Sequence, residues 1–178
     1  MRISHDGLAD DAQFIASPNC DERPPATDIE LIVVHAISLP PGIFGGPGIV
    51  QLFTNSLDAT AHPYYATVAD LRVSAHFLVR RDGNVIQFVP TRLRAWHAGV
   101  SCWRGRERCN DFSVGIELEG CDEVPFEDAQ YASLARLTRA TQDRHPIGQI
   151  VGHSEIAPGR KTDPGPHFDW LRYRRLLS

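Results

Sequence analysis

Apolar stretches alternate along the chain with polar segments that are rich in proline and glycine, and several of them predict β-strands. The run from Ile29 to Val34 is β-branched and almost continuously apolar, which is typical of a central strand covered on both faces. Residues 73–79 and 85–89 alternate around an Arg-Asp-Gly-Asn turn, which predicts a β-hairpin. Residues 112–119 alternate strictly, and their apolar side chains at the even positions predict one face toward the core.

A helical period appears in the remaining regular segments. Residues 127–144 carry apolar side chains on one stripe and end in Arg144 and His145, whose charges suit the helix dipole. Shorter helices are predicted within 48–56 and 169–177. Residues 1–28 are polar and predict an irregular N-terminal segment, so the expectation is a single domain over residues 1–178.

Composition narrows the classes of partner. A chain of 178 residues that is 42% hydrophobic is long enough for one ordinary core. The formal net charge of -4 gives no general basic field, which disfavours nucleic acid as a partner. No apolar run approaches the ~20 residues that cross a bilayer and no secretory leader is recognisable, so we expect no membrane association and a cytoplasmic location. The four cysteines contain no C-x-x-C pair, which indicates reduced thiols rather than zinc ligands.

The stretch from Val151 to Gly165 has the composition of a functional site. It follows a short apolar run, 147–151, and holds His153, Lys161 and Asp163 in a loop stiffened by proline and glycine. Zinc binds histidine nitrogen and carboxylate oxygen at about 2.0–2.2 Å, and a catalytic zinc usually has three protein ligands. The pattern therefore predicts a zinc site that needs one further ligand.

His35 is the candidate for that ligand. It ends the buried strand 29–34 and precedes a glycine-rich segment, a position where a sheet opens to a cleft. A hydrogen-bonded core histidine is the commoner interpretation of a lone histidine in such a place. The loop with His153 and Asp163 shifts the interpretation toward a metal ligand.

Two glutamates on the strand 112–119 compete for a catalytic role. Glu117 and Glu119 lie on the face opposite the apolar one, and Gly115 leaves room there for a ligand or a backbone to approach. Only one of them needs to be catalytic, and the pattern alone does not choose. His76 lies on the first strand of the hairpin. We expect it at most to contact a metal ligand and not to bind the metal itself.

Residues 92–111 combine five arginines with Trp96 and Trp103. Guanidinium groups match carboxylates and indole faces match sugars, which predicts a loop for an anionic or sugar-like ligand. A solvated loop in which Trp96 fills the core explains the same composition equally well.

Several motifs together resemble the zinc amidase and peptidoglycan-recognition superfamily, and within it the AmpD-type 1,6-anhydro-N-acetylmuramyl-L-alanine amidases of peptidoglycan recycling. The resemblance spans roughly residues 14–175 and rests on these segments: Val34–Gly42, Val73–His76, Ala95–Val100, Arg106–Phe112, Gly115–Gly120 and Gly152–Gly165. It implies an α/β (α+β) fold, in which a mixed central β-sheet is flanked by helices and the metal lies in a surface cleft. It also implies hydrolysis of the amide between muramic acid and L-alanine.

The resemblance assigns roles to particular residues. It implies Zn²⁺ held by His35, His153 and Asp163, with Glu117 as the proton acceptor for water and Lys161 as the stabiliser of the oxyanion. It further implies that Arg72 and Arg108 bind the carboxylates of the stem peptide and that Trp96 lines the sugar pocket. Ala36, Ser154 and Glu155 depart from the usual pattern, but no ligand position changes.

Two other functions remain open at this stage. Peptidoglycan-recognition proteins of the same fold bind muropeptides without cutting them, and lytic amidases act on intact cell wall. Retention of all five metal and catalytic positions favours the enzyme, and the absence of an export signal disfavours the lytic role. The expected partner is a small-molecule 1,6-anhydro-muropeptide, and the expected state is a monomer.

Overall fold

A six-stranded mixed β-sheet forms the centre of the computed structural model, which describes residues 1–178. The strands are β1 (Gln13–Phe14), β2 (Cys20–Asp21), β3 (Leu31–Ile37), β4 (Phe77–Val79), β5 (Val85–Gln87), β6 (Arg94–Ala95), β7 (Cys102–Trp103), β8 (Arg106–Glu107), β9 (Ser113–Glu119) and β10 (Gln149–Gly152). The sheet order is β1-β5-β4-β9-β3-β10, and every neighbouring pair is parallel except β4 and β5. β2 pairs with β6 and β7 with β8 in two small antiparallel sheets.

Five α-helices accompany the sheet: α1 (Gly48–Phe53), α2 (Tyr65–Val68), α3 (Asp128–Arg144), α4 (His153–Ile156) and α5 (Trp170–Leu177). α3 and α5 cover one face, where Leu134 and Tyr173 pack with Val34 and Ile116 of the central strands. α1 packs on the opposite face, in a second apolar cluster with the hairpin β4–β5. None of the helices has both the length and the apolar character required to span a bilayer.

The register of the central strands places the site. In the parallel pair β3–β9, His35 lies directly beside Glu117, and in the pair β3–β10, Val34 lies beside Gly152. His153 follows Gly152 immediately and begins α4, so both histidines reach the same edge of the sheet. Parallel strands with their carboxyl ends at one edge thus bring together residues that are far apart in the sequence.

The predicted fold class is confirmed: a mixed central sheet carries helices on its faces. The predicted hairpin, the strand at 112–119 and the long helix are all present with shorter bounds. Residues 1–28 are not wholly irregular, because β1 joins the main sheet beside β5 and β2 pairs with β6. Strands of two residues are too short to show an alternating pattern in the sequence.

The end of α3 differs from its prediction in charge. His145 follows Arg144 at the end of α3 and its backbone amide donates to the carbonyl of Thr141, while its Nε2 lies 2.8 Å from Oγ1 of Thr91. Burial lowers the pKa of His145 to about 4, and Arg144 acts in the same direction. The expectation of a positive charge at this position is wrong, since the side chain is neutral near pH 7.

Candidate metal centre and its cleft

Three side chains converge at the carboxyl edge of the sheet. Nδ1 of His35 lies 3.0 Å from Nδ1 of His153, and Oδ2 of Asp163 lies 3.1 Å from each of these nitrogens. The three atoms therefore form a nearly equilateral triangle. A tetrahedral zinc ion with bonds of about 2.0 Å separates its ligand atoms by about 3.3 Å, so the triangle fits three corners of such a site within a few tenths of an ångström.

The outer nitrogens of both histidines are already engaged. Nε2 of His153 donates to the carbonyl of Ala98 at 3.1 Å, and Nε2 of His35 lies 2.9 Å from Nδ1 of His97. Each neutral imidazole then presents the lone pair of Nδ1 to the centre of the triangle. Lone pairs cannot bond one another, and a cation is what satisfies them together.

Charge at the site also suits a divalent cation. Burial lowers the pKa of His35 to about 4, which keeps its imidazole neutral. Asp163 adds a carboxylate oxygen to the two imidazole nitrogens, and this combination of a carboxylate with histidines occurs in many zinc sites.

Glu117 is a buried carboxylate without a visible partner. Its side chain lies beside His35 in the sheet, and its Oε2 accepts no hydrogen bond although the atom is buried. Burial raises the pKa of Glu117 well above the ordinary value, the charge of Asp163 adds to the rise, and Lys161 opposes it. A buried orphan carboxylate with a raised pKa is a frequent mark of a proton-transferring group.

Glu119 lies two residues further along the same face and is fully paired. Its Oε1 accepts from Nη1 of Arg80 at 2.8 Å and from the amide of Gly45 at 2.7 Å, and its Oε2 accepts from the amide of Arg81. These contacts fix the glycine-rich segment after β3. Of the two candidate glutamates, only Glu117 is free to act on a ligand.

The metal-ligand triangle opens into a cleft of about 490 Å³. Glu117 and Trp96 lie on its wall, and the exposed Lys161 contributes to it two residues from Asp163. Apolar side chains of the α1–α2 region also line the cleft, among them Leu52, Phe53, Tyr64 and Leu71. The lining thus combines charged and polar side chains with apolar ones.

Residues 25–166 match the model of a protein family described as N-acetylmuramoyl-L-alanine amidase. This match covers more than half of the chain. The chain belongs to the N-acetylmuramoyl-L-alanine amidase family. Members of that family are hydrolases of the peptidoglycan amide bond, and the enzyme interpretation of the sequence is therefore confirmed.

Individual relatives agree with this assignment. The amidase is 58% identical over 169 residues to the 1,6-anhydro-N-acetylmuramyl-L-alanine amidase AmpD of Escherichia coli K12, which covers 94% of this chain and 92% of the relative. Its structure is similar to the crystal structure of a selenomethionine derivative of AmpD, with a TM-score of 0.97, 56% identity and full coverage of both chains. It also resembles the amidase AmiD from E. coli in complex with anhydro-N-acetylmuramic acid-L-Ala-D-γ-Glu-L-Lys, with a TM-score of 0.62 and 32% identity over 87% of this chain and 60% of that one.

The predicted substrate residues of the amidase fall in different places. Trp96 lines the cleft, and its Nε1 donates to Oδ1 of Asp21 at 3.2 Å, which orients the indole. Arg72 is exposed and touches only backbone carbonyls of its own loop. Arg108 is also exposed, pairs with Asp111 and borders a neighbouring depression beside Arg160. Neither arginine lines the cleft, so their roles stay predictions.

Two residues of the site, His97 and Arg160, were not chosen as site residues from the sequence. His97 contacts His35, and Arg160 lines the cleft while donating to the carbonyl of Ala98. The sequence carried one signal for this contact, which is Gly115. In the structure, a Cβ at this glycine would lie 2.4 Å from Cγ of the His97 ring. The glycine does mark a close approach, as predicted, but the approaching group is an imidazole of the same chain.

The departures from the family pattern do not displace the three candidate ligands. The amide of Ser154 donates to the carbonyl of Asp163 at 2.9 Å, which joins two ligand-bearing segments. Oε2 of Glu155 accepts from the amide of Gly152 at the start of α4. Ala36 lines the cleft beside His35. All four cysteines are free thiols and none belongs to the metal-ligand triangle.

Proposed function

We propose that this amidase is zinc-dependent and hydrolyses the amide between 1,6-anhydro-N-acetylmuramic acid and L-alanine of muropeptides, in peptidoglycan recycling. The observation that supports the proposal best is the triangle of His35, His153 and Asp163 with the unpaired Glu117 carboxylate beside it. Two neutral imidazoles and one carboxylate form a common ligand set for a catalytic zinc with an open position.

The residues around the triangle provide the remaining chemistry. When bound, zinc supplies Lewis-acid polarisation of the scissile carbonyl and lowers the pKa of water in the site. Glu117 accepts the proton of the attacking water at its unpaired Oε2, and it later delivers that proton to the leaving amine of L-alanine. Burial raises the pKa of Glu117 above its ordinary value, which favours its uptake of that proton. Lys161 places a positive charge in the same cleft, where it stabilises the negative oxygen of the tetrahedral intermediate.

The substrate class is supported by the relatives and by the cleft. The E. coli relative is named for the 1,6-anhydro-N-acetylmuramyl-L-alanine bond, and the AmiD structure contains an anhydro-muropeptide. A cleft of about 490 Å³ is in the range of small-ligand sites. In this proposal the indole of Trp96 packs against the sugar, and the stem peptide extends toward Arg72 and Arg108.

A muropeptide-binding module of the same fold is the alternative from another class. Binding alone does not require a buried carboxylate without a hydrogen-bond partner beside three convergent ligand atoms. That arrangement costs free energy in the folded state, which favours the enzyme. The cytoplasmic location and the monomeric state remain predictions of the sequence.

Metal analysis of a ligand variant tests the zinc site directly. His153→Ala removes one of three ligands, and we expect the purified variant to lose stoichiometric zinc while the wild type contains one equivalent. His167→Ala is the matched control, since His167 is exposed and lies in the same C-terminal segment. Elemental analysis that found equal zinc in both variants would show that the ligand set is wrong.

A further inference from the structure

His35 and His153 differ in what holds their outer nitrogens. Nε2 of His153 meets a backbone carbonyl, Ala98, which can only accept a hydrogen bond. Nε2 of His35 instead meets Nδ1 of His97 at 2.9 Å, and an imidazole nitrogen can donate or accept. The tautomer of His35 therefore depends on the tautomer of His97.

Two further contacts decide the direction of that hydrogen bond. Oγ of Ser113 lies 2.6 Å from the carbonyl of Cys109, so the hydroxyl must donate there. Nε2 of His97 lies 3.2 Å from the same hydroxyl oxygen, which is left to accept, so this nitrogen carries the proton. In a neutral His97 the other nitrogen, Nδ1, is then an acceptor. His35 must donate from Nε2, and its Nδ1 keeps its lone pair for the metal.

The fold holds His97 tightly in this role. Oδ1 of Asn110 accepts from the backbone amides of His97 and Ala98, at 3.2 Å and 2.8 Å. The imidazole ring lies against Gly115, where any side chain would collide with it. Backbone and ring are thus fixed independently, and the consecutive residues 97 and 98 serve the two histidine ligands.

We propose that His97 is a positioning residue: as a hydrogen-bond acceptor anchored through Ser113 to the carbonyl of Cys109, it sets the tautomer and orientation of His35 for metal binding. This inference rests on the proposed zinc site. Partners of this kind typically change metal affinity by about 10–100-fold when they are removed. His97 does not itself bind the metal in this account, because both of its ring nitrogens are occupied.

A pair of variants with nearly equal shape isolates the acceptor. His97→Asn keeps an acceptor on Cγ at the position of Nδ1, whereas His97→Leu has the same branching at Cγ and no polar atom. Both lose the ring contact with Gly115 to a similar extent. The measurement is the zinc dissociation constant by competition with a chromogenic chelator, together with the thermal unfolding of the metal-free proteins. We expect the leucine variant to bind zinc about 10–100-fold more weakly than the wild type, and the asparagine variant to recover most of the loss.

His76 provides the control for removing a buried histidine. Its Nδ1 accepts from the amide of Gly115, its Nε2 faces the carbonyl of Leu93 and the guanidinium of Arg23, and its ring meets the His97 ring edge-on, but it has no hydrogen bond to His35, His153 or Asp163. His76→Leu should lower the unfolding temperature without the same loss of zinc affinity in the variant that remains folded.

The outcomes separate the two proposals. If the wild type takes up no zinc, the metal site itself is wrong. If the wild type binds zinc and both His97 variants bind it equally well, the positioning role alone is wrong. Equal losses in the asparagine and leucine variants would assign the effect to ring packing and would also overturn the inference.

Discussion

The two faces of the central sheet are built from alternate residues of the same strands, yet they differ in almost every physical respect. On the face under α3 and α5, Val34, Ile116 and Leu118 are completely or almost completely buried among apolar side chains. On the opposite face, the same strands present His35, Ser113, Gly115, Glu117 and Glu119, which are also buried. Burial therefore does not separate core from site in this protein.

The hydrogen bonding of the buried polar atoms does separate the core from the site. On the site face, Ser113 and Glu119 have hydrogen-bond partners, and His35 has a partner at its outer nitrogen. The exceptions on this face are the lone pairs aimed at the centre of the ligand triangle and Oε2 of Glu117. A buried carboxylate oxygen without a partner costs free energy, so its position beside the triangle indicates that a ligand completes it.

Substitutions at neighbouring positions that face opposite sides of the sheet should change different quantities, stability on one face and zinc affinity on the other. Ile116→Ala removes a buried side chain under α3, and we expect a loss of about 2–5 kcal/mol in the free energy of unfolding with little change in zinc affinity. Gly115→Ala places a methyl group against the His97 ring, and we expect zinc affinity to fall by about 10–100-fold. Denaturant unfolding and chelator competition measure the two quantities for each variant. Equal losses of zinc affinity would erase the distinction between the faces.

Acid should lower the stability of the protein through His145, at the end of α3, and this effect should be smaller. The pKa of His145 is about 4 in the folded protein and ordinary in the unfolded chain, so the unfolded chain binds the extra proton between those values. Stability must then fall as the pH drops through this window. Because the side chain is only partly buried, we expect roughly 1 kcal/mol from this group.

His145→Gln isolates that contribution. The difference in unfolding free energy between the wild type and this variant, both metal-free, should change between pH 7 and pH 4.5 in favour of the variant. Metal-free samples exclude zinc release as the cause. A difference that stays constant over this range would contradict the assignment.

Much of the fold could be predicted from local patterns. The strict alternation of residues 112–119 and the helical period of 127–144 appear in the structure as β9 and α3, since each pattern is long enough to specify its period. β1 and β2 were not predicted, because strands of two residues are specified by the sheet edges that they join. His145 was predicted as charged because its burial depends on contacts that are distant in sequence.

Part of the candidate site could likewise be predicted from the sequence, and part could not. A strand-end histidine and a loop with His153 and Asp163 suggested the ligands, and the resemblance to known amidases chose Glu117 over Glu119. In the structure Glu119 is paired with Arg80 whereas Oε2 of Glu117 has no partner, which favours the same choice. The contact between His97 and His35 joins residues 62 positions apart and depends on the packing of a loop on the sheet, which no local pattern reveals.

Hydrolysis by the Glu117→Gln variant is the most direct test of Glu117 as the proton-transferring group. The variant keeps the shape of the side chain and loses its basicity, so zinc content and binding of an anhydro-muramyl tripeptide should be retained. We expect kcat to fall by about 10²–10⁴-fold or more. Glu119→Gln is the control on the same strand face: it should lower stability through the lost charge beside Arg80 and keep kcat per folded molecule. Equal loss of kcat in both variants, or loss of zinc from Glu117→Gln, would contradict the assignment of Glu117 as the group that moves the proton.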